Sequence, residues 1–171
     1  MSKVLYFNGC SWSNGSELSD IRDRTSELLS EKLGYEKINE SKDGKGNQHI
    51  IEETINFAYS NKHNKDNIII NVWLTSPERI WMYYNDKPFQ LNVHMILENI
   101  NPHQTNEDDW EEIKDDVKIF TKMWAENYHN QKLFITQYVK DVLLLHNTLK
   151  TLGYKFLISN AFYNLDTEPK F

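Results

Sequence analysis

Ser11 closes an apolar run, Val4-Leu5-Tyr6-Phe7-Asn8-Gly9-Cys10, and opens the small-residue stretch Trp12-Ser13-Asn14-Gly15. A hydroxyl at the end of a strand has the setting a serine nucleophile needs. The turn exposes Oγ, and backbone N–H groups beside it can stabilise an oxyanion. The same residues also read as an ordinary strand-to-helix loop. Two further polar clusters follow, Ser41-Lys42-Asp43-Gly44-Lys45-Gly46-Asn47 and Thr75-Ser76-Pro77-Glu78-Arg79. Gly44 offers a backbone N–H, and Asn47 and Thr75 offer polar side chains, for an oxyanion or a ligand. Arg79 can clamp a carboxylate or phosphate with two donors, or can form an ion pair with Glu78. The aromatic series Trp73, Trp81, Tyr83, Tyr84 and Phe89 suits either a pocket wall or packing.

A serine hydroxyl also needs a base. His49, at the start of a helix after the second cluster, is the candidate substitute base, with a first-turn surface histidine as the alternative. His94 and His103 lie in an irregular stretch that could fold over Ser11. His63, His129 and His146 fall on helices or their ends and read as surface or core-margin groups. No histidine pair has the spacing of a zinc ligand set, and the single Cys10 excludes an internal disulfide or a multi-cysteine zinc site. Cys10 reads as a small filler at the strand end; a thiolate nucleophile is the sharper alternative. The acidic run Glu107, Asp108, Asp109, Glu111, Glu112, Asp115 and Asp116 reads as a solvated helix start, since it lacks the alternating ligands and central glycine of a calcium loop. Neither a metal nor a cofactor is expected.

The elements that must position these residues alternate. Residues 3–7 form a buried strand, and Ile21 to Leu33 a helix with an apolar stripe of Ile21, Leu28, Leu29 and Leu33, ended by Gly34. Tyr35 to Asn39 is a short strand. The helix that follows turns Ile50, Thr54, Phe57 and Ala58 inward, and Asn67 to Trp73 is an apolar strand suited to a sheet covered on both faces. Residues 74–108, with three prolines, read as an irregular excursion above the sheet. Two helices return, one burying Ile113, Val117, Phe120 and Trp124 behind an Asp108 or Asp109 cap, the other burying Phe134, Tyr138, Val142, Leu145, Leu149 and Leu152 and closing at Gly153. Lys155 to Asn160 is a fourth strand. Strand–helix alternation predicts a three-layer α/β sandwich with a central parallel sheet, in one domain spanning 1–171. Its loops after strands one, two and three converge at one edge, so Ser11, the Gly44–Asn47 loop and the Thr75–Arg79 loop are expected to line one cleft.

Composition narrows the function classes. The 171 residues carry a net charge of −6, which argues against binding a nucleic-acid backbone, and 39% hydrophobic residues exclude disorder. The apolar start is too short for a signal peptide, and no run reaches membrane-spanning length, so a cytoplasmic protein that binds neither nucleic acid nor membrane is expected. The expected partner is a small molecule with carbonyl or anionic oxygens.

Gly9-Cys10-Ser11, Asp43-Gly44-Lys45-Gly46-Asn47-Gln48-His49-Ile50 and Trp73-Leu74-Thr75-Ser76-Pro77-Glu78-Arg79, in this order, resemble the blocks of the SGNH (GDSL-like) hydrolase family, in the divergent form found in bacteriophage genomes. The first matches the family's Gly-Asp-Ser or Gly-Cys-Ser turn, the second its Gly-rich oxyanion turn, and the third the phage variant of the block that normally supplies an asparagine. The likeness spans about 160 residues and implies an SGNH/flavodoxin-like sheet, a serine ester or acyl hydrolase site at Ser11, and oxyanion contacts from Gly44 and a polar group of Asn47 or Thr75. The family's catalytic aspartate and histidine come from an Asp-X-X-His block after a further strand. Here Asn164-Leu165-Asp166-Thr167-Glu168-Pro169-Lys170-Phe171 has no histidine after Asp166, so the resemblance implies a C-terminally shortened member. Catalysis lost, a base recruited from elsewhere and a chain cut short all fit. Beside the hydrolase stand a non-catalytic ligand- or partner-binding protein using the same pocket, and an assembly component: an uncovered sheet edge predicts a homo-oligomer.

Overall fold

A computed structural model describes residues 2–84, 87–92, 110–128 and 130–160. The central sheet has four strands in the order β2-β1-β3-β6, all parallel: β1 Val4–Gly9, β2 Glu36–Asn39, β3 Ile68–Leu74 and β6 Lys155–Asn160. Stepping outward from β1 to β2, then back across β1 to β3, places successive right-handed crossovers on opposite faces. Helix α2, Thr25–Leu33, packs on β1 and β2, while α3, Asn47–Ser60, and α5, Gln131–Leu152, pack on each other over the other face. The molecule is the three-layer α/β sandwich the alternation predicts.

Register explains which side chains meet. Val4, Tyr6 and Asn8 align with Ile68, Ile70 and Val72 and share their face. That face carries the core: Tyr6, Ile70, Val72 and Leu74 from the strands meet Ile50, Ile51 and Ala58 of α3 and Tyr138, Leu145 and Leu149 of α5. Tyr6 stacks on Phe57 with centroids 3.9 Å apart, and Tyr154 Oη donates to Ala58 O at 2.8 Å, tying the start of β6 to the end of α3. Hence α3 runs antiparallel to the strands, its N-terminus at their carboxyl edge.

Two expectations change. Ile21 to Leu33 is not one helix: a 3-10 turn at Ile21–Asp23, capped by Asp20, precedes α2. Ile21, Leu28 and Leu33 are exposed, so the apolar spacing there does not mark a buried stripe. The excursion is partly regular. Residues Arg79–Tyr84 (β4) and Lys87–Asn92 (β5) form an antiparallel ribbon, in which β-branched and aromatic content outweighs Pro88. Helix α4, Trp110–Asn127, is where the first returning helix was expected, and Trp124 meets Phe134 of α5 at 5.5 Å. His94, His103, His129, the Asp108 or Asp109 cap and Asp166 lie outside the described residues. No helix among the described residues is long and apolar enough to cross a membrane.

Candidate functional site

The carboxyl edge of β1 runs directly into a four-residue helical turn, α1, Ser11–Asn14. Ser11 is its first residue and is partly exposed. Cys10 is the fully buried N-cap, its carbonyl taking Ser13 Oγ at 2.9 Å and Asn14 N–H at 2.9 Å. Gly9 permits this tight return: a Cβ there would lie 2.2 Å from Ser13 Oγ and 2.8 Å from the Trp73 carbonyl. Among the described residues, none hydrogen-bonds Ser11 Oγ.

The second cluster is fastened against this turn. Lys42 N–H donates to Gly9 O at 3.1 Å, and Asp43 accepts from Asn14 Nδ2 at 2.8 Å and from Ser16 Oγ. Gly44 adopts φ +77°, a left-handed conformation that glycine takes without strain. The segments holding Ser11 and Gly44 are therefore neighbours, as the converging loops require.

Asn47 is committed elsewhere. Its Nδ2 donates to Thr75 O at 3.0 Å and Ser76 O at 3.2 Å, and its Oδ1 accepts from Thr75 N–H at 2.7 Å. With both amide hydrogens engaged and the residue buried, Asn47 clamps the start of α3 to the end of β3. Thr75 is fully buried beneath that clamp, and its Oγ1 has no hydrogen-bond partner among the described residues. Arg79 opens β4, its N–H on Ser76 O, and lines a cleft of about 240 Å³. Asn47, Gln48 and Pro77 form one side of that cleft, and Phe134, Gln137, Tyr138 and Asp141 of α5 the other. Gln137 Nε2 donates to Asp141 Oδ1 at 2.7 Å; burial raises the Asp141 carboxyl and pushes the Tyr138 phenol up to about 12. Ser11, Gly44 and Thr75 do not belong to this lining. Of the five residues expected in one cleft, Arg79 and Asn47 line this one, Ser11 and Gly44 stand on neighbouring segments, and Thr75 lies buried beneath the Asn47 clamp.

A further polar cluster, centred on Lys45 and Glu53, lies behind these loops among the described residues. Lys45 is 2% exposed; its Nζ pairs with Glu53 Oε2 and donates to Asn8 Oδ1 at 3.1 Å and Glu40 O at 2.5 Å. Asn8 Nδ2 lies within 3.2 Å of Tyr6 Oη, Ile50 O, Glu53 Oε2 and Thr54 Oγ1. The other Glu53 oxygen takes His49 Nε2 at 2.9 Å. Burial pulls the Lys45 amine below its ordinary range, against the opposing pull of Glu53. Burial would raise the Glu53 carboxyl, but the hydrogen bond and charge of Lys45, with His49 and Asn8 adding, hold it below the usual carboxylate range. The i,i+4 spacing of His49 and Glu53 was available to find half of this cluster; a lysine between two glycines gave no sign of the rest. Among the described residues no group of three or more His, Cys, Asp or Glu could hold a metal ion. The chain matches no family model, and no curated protein matches it.

Proposed function

We propose that the protein is an SGNH-like hydrolase that cleaves an ester or related acyl bond through Ser11. The observation that carries this reading is the position of Ser11 as the first residue of a turn at the carboxyl edge of a parallel sheet, beside the left-handed Gly44 loop. In open α/β sheets this edge gathers ligands and reacting groups. The oxyanion would rest on the N–H groups of Ser11 and Gly44. Asn47, its amide spent on Thr75 and Ser76, serves as scaffold rather than donor. The test is labelling with a fluorophosphonate, alongside hydrolysis of p-nitrophenyl acetate. Stoichiometric labelling that disappears in Ser11→Ala supports the reading; a wild-type protein that neither labels nor hydrolyses overturns it.

The Arg79 cleft favours a second reading, a non-catalytic protein that binds a small molecule with carbonyl, carboxylate or phosphate oxygens between α3 and α5. Apolar walls with a guanidinium and two glutamine amides suit such a ligand. Titration with benzoate and with inorganic phosphate, followed by NMR, tests it, and Arg79→Ala should weaken binding by about 1.5–3 kcal/mol. On either reading the protein works in the cytoplasm, host cytoplasm if phage-encoded, and self-associates.

A further inference from the structure

We infer that Glu53 is the positioning carboxylate for His49, so that α3 supplies both the base for Ser11 and the acid that orients it; this rests on the Ser11 reading above. Glu53 spends its two oxygens differently. Oε2 is anchored to buried Lys45 and to Asn8 of β1, and Oε1 holds His49 Nε2 at 2.9 Å. A carboxylate on Nε2 fixes the proton there and leaves Nδ1 as the basic nitrogen, and it stabilises the imidazolium that forms during proton transfer. Lys45, itself buried, keeps that half-buried carboxylate charged.

The fold carries His49 toward the serine. Glu53 stands level with Asn8, three residues before Ser11, or about 10 Å along a strand. The N-terminus of α3 lies at the carboxyl edge, where Asn47 clamps Thr75. One helical turn from Glu53 back to His49 therefore climbs about 6 Å in the direction of Ser11. Lys45 follows Gly44 directly, so the residue that anchors Glu53 also fixes the loop carrying the proposed oxyanion donor. In the labelling reaction, Ser11 Oγ bonds to phosphorus as fluoride departs, and the hydroxyl proton passes to His49 Nδ1.

The experiment compares fluorophosphonate labelling rates of wild type, His49→Gln and Glu53→Gln, with the His49 ring tautomer read from 15N chemical shifts. We expect the wild type to label with His49 in the Nε2–H form. His49→Gln should slow labelling at least a hundredfold and Glu53→Gln at least tenfold, with loss of the single tautomer in Glu53→Gln. Labelling by wild type that neither substitution slows, or that only His49→Gln slows, overturns the inference and leaves the Ser11 reading standing. No labelling by wild type overturns both. If Glu53→Gln does not fold, the wild-type tautomer decides: an Nδ1–H ring overturns the inference, and an Nε2–H ring with slow labelling by His49→Gln supports it.

Discussion

Lys45 shows how far a single buried charge can govern its surroundings. Its ammonium holds Glu53, Asn8 and the Glu40 carbonyl at once, so truncation strands a carboxylate among groups arranged for a cation. Lys45→Met is expected to cost about 3 kcal/mol in urea unfolding, the low end for breaking a buried pair, because Glu53 keeps a quarter of its side chain in water. Adding Glu53→Gln should recover part of that loss, since the stranded charge is then gone. Acid should act through the same pair. The Glu53 carboxyl lies below its ordinary value in the fold, so the unfolded chain binds its proton first. Its contribution is present above the ordinary carboxylate range and is lost as pH falls through the lowered value. Glu53→Gln should therefore flatten the acid limb of a stability–pH curve; an unchanged limb would remove Glu53 as its source. None of this was legible in Gly44-Lys45-Gly46, because a lysine flanked by glycines reads as solvated loop. Only the return of the loop over β1 buries it.

At the scale of elements, the four strands of the central sheet and α5 were legible because apolar runs and helical spacing mark them, and β1 and β3 are buried accordingly. Tyr138, Leu145 and Leu149 recur at helical spacing and are buried. Helix α2 was not, because Leu28 and Leu33 of its apolar spacing stand exposed although the helix packs on β1 and β2. The β4–β5 ribbon was hidden by Pro88 and by the absence of an Asn-Gly turn. At the site, loop convergence was legible in the order of the elements, but the use of Asn47 was not, since an amide at a helix start suits a ligand as well as a clamp. Its three hydrogen bonds join α3 to β3 where the site loops meet. Asn47→Ala should cost about 2–3 kcal/mol in chemical denaturation, from buried backbone groups left without partners. A loss below 0.5 kcal/mol would mean that water or a rearranged loop replaces the amide. The turn after β1 has the same kind of dependence. Gly9→Ala brings a methyl against Ser13 Oγ and the Trp73 carbonyl, the latter a backbone atom that cannot swing aside. It should slow Ser11 labelling more than Ser13→Ala does, because it displaces the turn as a whole.

The whole molecule presents an asymmetry that bears on how copies meet. Strand β6 pairs with β3 along one side, and among the described residues nothing pairs with its other side. An edge strand offers a row of backbone donors and acceptors to any matching strand. Natural edges are guarded by charges or proline, yet β6 carries Lys155 alone, at its start, followed by Phe156, Leu157 and Ile158. Leu157 is 57% exposed on the face opposite the main core, and Trp12, Leu18 and Ile21 add exposed apolar surface near the other site-bearing turn. A net charge of −6 spread over 171 residues opposes association only weakly at physiological salt, where separated charges are screened beyond about 8 Å. A symmetric dimer formed through β6 is therefore expected, since a two-fold axis lets the same edge serve both partners. Light scattering at micromolar concentration should give twice the chain mass of 20.4 kDa, and Leu157→Glu should return it to one. A wild-type mass of 20.4 kDa across that range would refute the dimer. A dimer unaffected by Leu157→Glu would move the interface away from β6, toward the exposed residues around α1.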